Sequence, residues 1–233
     1  MDEFLKSNYG YIITLIEFIA AFTGVILYKK YKHTHVKYLI YFLVYTFFID
    51  TIGDYPSILK KLGYFHLIKG TLIESNYWWY TIFWWIGLSV IMVYLNYRVV
   101  KTIRFKKILK YGFYLYSLQV VLYIVFRFEN LFSHERYITI SSLWIILLSI
   151  VIYFFETLKS EKIILFYKSV YFYFNTVFFI WVLIIIPMNF FEVYNVLEDW
   201  NYVLFKWKIY LTLNFFLYFT LSAALIFCKP ESE

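Results

Sequence analysis

Cysteine is all but absent. Cys228 stands alone, which excludes a disulfide within the chain and any cysteine-based metal site. With 7 Gly and 3 Pro in 233 residues, no stretch is rich enough in either to act as a linker. Charge is scarce too: Asp, Glu, Lys and Arg make up 16% of the chain, against about 25% in soluble domains. No segment is polar enough to be a separate soluble domain. Alternation with period two is missing, and an open sheet cannot face lipid, so strands are excluded as spanning elements. The first ten residues carry Asp2, Glu3 and Lys6. A cleavable leader would have a basic start and a small-residue cleavage site, so the first helix is expected to stay as a signal anchor.

What is present is apolar. Hydrophobic residues are 63% of the chain, gathered in runs of about twenty, the length that crosses a bilayer core. Seven spans can be drawn: Tyr9–Tyr28, Val36–Tyr55, Tyr77–Tyr97, Leu109–Phe126, Tyr137–Phe155, Ser169–Phe191 and Ile209–Cys228. The expectation is an all-α membrane protein, a single seven-helix bundle over residues 1–233. Ile, Phe, Tyr, Lys and Asn are favoured and Ala is rare, the mark of an A/T-rich genome. We read it as a bacterial protein, multi-pass in the cytoplasmic (inner) membrane. Part of the 26% aromatic content follows from the same bias.

Basic residues orient the spans. Lys29, Lys30, Lys32, Lys37, the Arg98–Lys110 segment, Lys159, Lys162, Lys168 and Lys229 fall on one side, 14 of the 22 Lys and Arg. That side is expected to be cytoplasmic, with the N-terminus outside and the C-terminus inside. The +7 net charge is then a topology signal and an attraction to anionic membrane lipids, not a sign of nucleic-acid binding. Only Lys229–Glu233 follow Cys228, so any signal is expected to leave through a protein partner. Arg98, Arg104 and Lys107 are the residues placed to meet it.

Three acids lie within spans: Glu17, Asp50 and Asp54. At about 1.5 Å per residue, Glu17, Asp50 and Asn214 (of the last span) share the outer part of the membrane, with Asp54 close to the surface. Glu17 shares a helical stripe with Ala20, Ala21 and Gly24, a surface that permits close helix approach. No Lys, Arg or His lies deep in a span to neutralise these acids. Glu17 or Asp50 is then either protonated, wet through an outward cavity, or paired with a cation, while Asp54 is most simply an interfacial residue. Intramembrane ionisable groups are functional candidates by default, and the competing account is interhelical glue.

The second feature is NYWWYTIFWW, Asn76–Trp85. Trp78 and Trp79 fit an interfacial aromatic belt. Trp84 and Trp85 lie deeper; belt and packing are the plain expectation for them, and the sharper one is an indole wall near acids that suits an organic cation. Elsewhere, Pro187 is expected to kink or end the sixth span. Ile58, Leu59, Leu62, Phe65, Ile68 and Leu72 recur at helical spacing in Pro56–Asn76. The plain expectation there is an amphipathic helix lying in the interface, the sharper one a lid. His33, His35, His66 and His134 all fall in loops, and His33-x-His35 has no companion ligand, so no metal and no cofactor are expected. No nucleophile is set with a base, which leans against an enzyme.

The stretch FIAAFTGVILYKKYKHTHVKYLIYFLVYTFFIDTIGDY, Phe18–Tyr55, resembles a family of seven-helix bacterial membrane proteins without an established activity. They share the basic, tyrosine-rich first loop and an acid near the outer end of helix 2. The resemblance implies a small sensory or accessory protein working beside a signalling partner. A retinal protein would need a lysine in mid-helix 7, whereas Lys206 and Lys208 sit at that span's outer edge.

The leading expectation is therefore a membrane sensor or signal-coupling protein, with a ligand-binding site of Glu17, Asp50, Asn214, Trp84 and Trp85. The alternatives are a proton- or cation-coupled transporter or channel, for which Gln119 and Asn175 are the only further polar positions singled out, and an intramembrane lipid-modifying enzyme.

Overall fold

A computed structural model describes residues 2–133, 136–159, 166–191 and 200–230. His134 and Lys162, which bear on the loops and the orientation of the spans, lie outside them, as do Glu192, Glu198 and Asp199. Eight helices order the described chain: α1 Asp2–Tyr31, α2 Val36–Gly53, α3 Tyr55–Lys61, α4 Tyr77–Val99, α5 Ile103–Phe126, α6 Arg136–Lys159, α7 Val170–Phe191 and α8 Trp200–Phe227. All but α3 are long and apolar enough to cross a membrane, and no strand occurs among the described residues. The protein is all-α and multi-pass.

Several boundaries move from their expected places. The helix α1 starts at Asp2 and α8 at Trp200, each well before its apolar window. Asn214 is thus deep within α8 rather than near its start. The helix α5 starts at Ile103, so Arg104, Lys106, Lys107 and Lys110 ride on its first turns rather than in a loop. Long basic side chains tolerate this because their stems lie along apolar surface while the charges reach water. Pro187 does not end its helix: α7 continues to Phe191.

Pro56–Asn76 is not one amphipathic helix. The short α3 stops at Lys61, a tight turn follows at Phe65–Leu67, and Gly63 and Gly70 take φ of 78° and 77°. That left-handed backbone is open to glycine and breaks the helical period. Of the six apolar residues expected on one face, Ile68 alone is buried.

The helices form two compact units, 1–47 with 157–233 and 48–156. In the first, α1 and α7 pack along α8. Phe42 of α2 meets Phe174 and Phe178 of α7 edge-on, at ring centroid distances of 5.8 and 5.6 Å. The α8 C-terminus is held from the far end of the sequence. Lys30 Nζ donates to Leu225 O at 3.0 Å and Ile226 O at 2.9 Å. The fully buried Tyr31 hydroxyl reaches Leu225 O at 3.0 Å and Cys228 O at 2.7 Å. The last carbonyls of a helix lack partners inside it, and a cation there also suits the helix dipole. Tyr31→Phe is expected to cost about 1–2 kcal/mol, since it strips a buried carbonyl of its donor while keeping the ring. Thermal unfolding of the variant in detergent micelles measures it, and an unchanged midpoint would refute the cap.

In the second unit, α4, α5 and α6 surround small clusters such as Val93, Tyr116, Val120 and Ile145, and Val100, Leu109 and Ile152.

Candidate functional site

The second unit places the end of α2 against the start of α4. Trp79 Nε1 donates to Ile49 O at 2.9 Å, and Asn76 Nδ2 to Gly53 O at 2.7 Å. Gly53 O is a terminal carbonyl of α2 that needs a partner from outside the helix, whereas Ile49 O lies one turn earlier and takes the indole N–H as a second donor. Trp79 is therefore more than a belt residue: its indole nitrogen ties α4 to the helix that carries Asp50, and Asn76 caps that helix. Trp78 Nε1 donates to the Tyr55 hydroxyl at 3.1 Å, which in turn donates to Ile73 O at 2.6 Å or Ser75 O at 2.9 Å. Tyr55 thus ties down the loop that returns from α3.

Immediately after Trp79 the chain takes a π-helical form over Tyr80–Ile86, ending at Gly87. Aromatic rings are crowded here. Trp79 and Phe83 have centroids 4.4 Å apart, and Trp78 and Phe83, five residues apart, 6.4 Å. A π-helical turn bonds residue i to i+5, is rare, and recurs at functional sites. Trp84 and Trp85 lie on it, both half-buried, and Asp50 is half-buried on the adjoining helix end. The end of α2 thus meets α4 at Asn76, Trp79 and Tyr80, a corner from which Trp84 and Trp85 follow about one turn further along.

Glu17 and Asn214 belong to the first unit. Glu17 is buried, at 1% exposure, on the stripe with Ala20 and Ala21. Asn214 is half-buried on α8. Asn175 is fully buried and donates to Tyr171 O at 3.0 Å, while Gln119 on α5 is half-buried.

From the corner, a seam of buried polar side chains runs down α4. Ser89 bonds back to Trp85 O at 2.9 Å, on the last part of the π turn. Ser89 Oγ also lies 3.5 Å from Ser142 O of α6, and Ser142 Oγ meets the Tyr116 hydroxyl of α5 at 2.8 Å. Two turns along, Asn96 Nδ2 donates to Ser149 Oγ at 3.2 Å. Both α4–α6 pairs are offset by 53 positions, which means the two helices run parallel in register. At the far end Glu156 Oε1 accepts Lys101 N at 3.0 Å and Thr102 N at 3.2 Å. This carboxylate caps the start of α5, where Arg104 and Lys107 sit.

Sequence reasoning missed the seam, the Glu156 cap and the roles of Tyr55 and Asn76. The seam had a signal: Ser89 and Asn96 are seven apart, as are Ser142 and Ser149. Heptad-spaced small polar residues in apolar helices mark a helix–helix contact. The caps had none, because they join residues distant in sequence.

No family model, no curated protein and no solved structure matches the chain.

Proposed function

We propose that the protein is a membrane sensor or signal-coupling protein, in which Asp50, Trp84 and Trp85 receive an organic cation from outside. The Arg98–Lys110 segment then presents the change to a cytoplasmic partner. The observation that carries this reading is the π-helical turn at Tyr80–Ile86, pinned on one side to the Asp50 helix and on the other to the polar seam. A carboxylate supplies charge and indole faces attract a cation. Passing from π to α form shifts the helix register by one residue, about 100° of rotation at 3.6 residues per turn. Such a shift would be transmitted by α4 to Arg98 and, through Glu156, to Arg104 and Lys107. A ligand drives it only if it binds one register better than the other.

The test uses a spin label at Arg104→Cys in a Cys228→Ser background, with quaternary ammonium ions of increasing size as probes. Saturable quenching of tryptophan fluorescence with a matching change at the label is expected, and Asp50→Asn is expected to abolish both. A response that survives both Asp50→Asn and Glu17→Gln ends the reading, as does silence across the whole series.

The seam also supports a second reading, transport of a proton or cation, because it adds buried polar positions below the corner. Ion flux in sealed proteoliposomes that Asn96→Leu removes would favour it over coupling.

A further inference from the structure

The first unit contains a groove that shares no residue with the proposed ligand site. It has a volume of about 550 Å³ and is lined by Val25 and Tyr28 of α1 and by Ile40, Tyr41, Val44 and Tyr45 of α2. That volume falls within the roughly 300–1,000 Å³ of pockets that hold small molecules. Its surface is apolar apart from its phenols. The Tyr28 and Tyr41 hydroxyls lie 2.8 Å apart. One proton is used within that pair, so one remains to donate to a ligand oxygen.

The groove has a charged end. Residues three and four apart share a helix face. On α1, Val25, Tyr28 and Lys29 follow that spacing, and on α2 so do Lys37, Ile40, Tyr41, Val44 and Tyr45. The two stripes that wall the groove therefore run into Lys29 and Lys37 at the α1–α2 turn, with Lys32 exposed in the turn itself. The Lys37 ammonium lies 5.2 Å from the centroid of the Tyr38 ring, an exchangeable contact, whereas that of Lys30 is committed to the α8 carbonyls. From Lys37 to Val44 the helix rises roughly 10 Å, enough to separate a headgroup from its acyl chains. Around the groove, Phe22, Val25, Ile26 and Tyr41 are all exposed, which suits an apolar occupant reached from the membrane.

We propose that this groove is a binding site for one anionic glycerophospholipid. An acyl chain lies along Val25, Ile40 and Val44, an ester or phosphate oxygen accepts the free hydroxyl proton of the Tyr28–Tyr41 pair, and the headgroup phosphate meets Lys29, Lys32 and Lys37. Charge complementarity selects an anionic over a zwitterionic lipid. The site is distinct from general attraction to the membrane surface because it needs the groove as well as the charges.

The experiment measures lipid retained by the purified full chain in native mass spectrometry, from micelles holding equal phosphatidylglycerol and phosphatidylcholine. A photoreactive phosphatidylglycerol maps the contact. Preferential retention of phosphatidylglycerol is expected, with crosslinks on α1 and α2 between residues 25 and 45. Lys29→Gln/Lys37→Gln should lower its retention about tenfold or more. Val44→Trp, which fills the groove and keeps every lysine, should lower it as well. Soluble glycerol phosphate in excess should not displace the lipid. Equal retention of both lipids overturns the proposal. So does full retention by Val44→Trp, which would mean charge alone, displacement by glycerol phosphate, which would mean a free-phosphate site, or a crosslink pattern outside the groove. If Val44→Trp does not fold, the crosslink map decides.

Discussion

Gly53→Ala should destabilise the second unit by about 2 kcal/mol, while the same change at Gly10 should stabilise the protein by about 0.5–1 kcal/mol. The opposite signs come from what a methyl group would meet. Gly10 is an exposed position inside α1 with nothing within 4 Å of where the methyl carbon would stand, so alanine brings its better helix propensity and no clash. At Gly53 that carbon would lie 2.9 Å from Trp79 Cδ1 and 2.9 Å from both Cζ and the hydroxyl oxygen of Tyr80. Trp79 cannot yield freely, because its Nε1 is bonded to Ile49 O one turn back. The clash therefore also threatens an interhelical hydrogen bond worth about 0.5–1.5 kcal/mol. Thermal unfolding in micelles, followed by tryptophan fluorescence, measures both variants side by side. Equal shifts at the two positions would refute the close packing of α2 on α4. Under the proposed function, Gly53→Ala should also blunt the response at the Arg104 label, since it disturbs the joint between Asp50 and the π turn.

Glu156→Ala should loosen the start of α5 without unfolding the protein. Its carboxylate holds the backbone N–H groups of Lys101 and Thr102, and only residues 100–102 separate α4 from α5. Lys101 is exposed and Thr102 half-buried, so water replaces part of what is lost. The cost should then be about 1–2 kcal/mol, the usual range for losing a helix cap. Amide exchange reads this locally: protection at Lys101, Thr102 and residues 106–109 should fall about tenfold or more, with α7 and α8 unaffected. Glu156→Gln keeps one carbonyl acceptor and should fall between wild type and alanine. Unchanged exchange in the alanine variant would show that Glu156 does not set the geometry of the basic segment.

Of the candidate site, the residue types were legible and the joint between the helices was not. Asp50, Trp84 and Trp85 stood out because charge and indole in an apolar run are costly or position-specific, while the contacts that join α2 to α4 fall on Ile49, Gly53, Asn76, Trp79 and Tyr80. That Trp79 and Asn76 serve α2 carbonyls was not readable, because a cap depends on where another helix ends. The same limit hid the Tyr31 and Lys30 cap, whose acceptors lie 194–197 positions away. The expected helix in Pro56–Asn76 failed for a different reason: its apolar spacing was genuine, but Gly63 and Gly70 permit a backbone that interrupts it.

By itself the sequence determined the number, type and approximate placement of the membrane-spanning helices. Hydropathy over about twenty residues is a local property, and lipid forces every backbone polar group in such a run to bond within its own helix. Tertiary structure alone decided which helix ends are capped by which side chains, that Tyr80–Ile86 is π-helical, and that the Ser89–Asn96 stripe pairs with the Ser142–Ser149 stripe. Those outcomes rest on contacts between segments far apart in the chain, and in lipid one apolar helix face is nearly as good a neighbour as another until packing and hydrogen bonds choose.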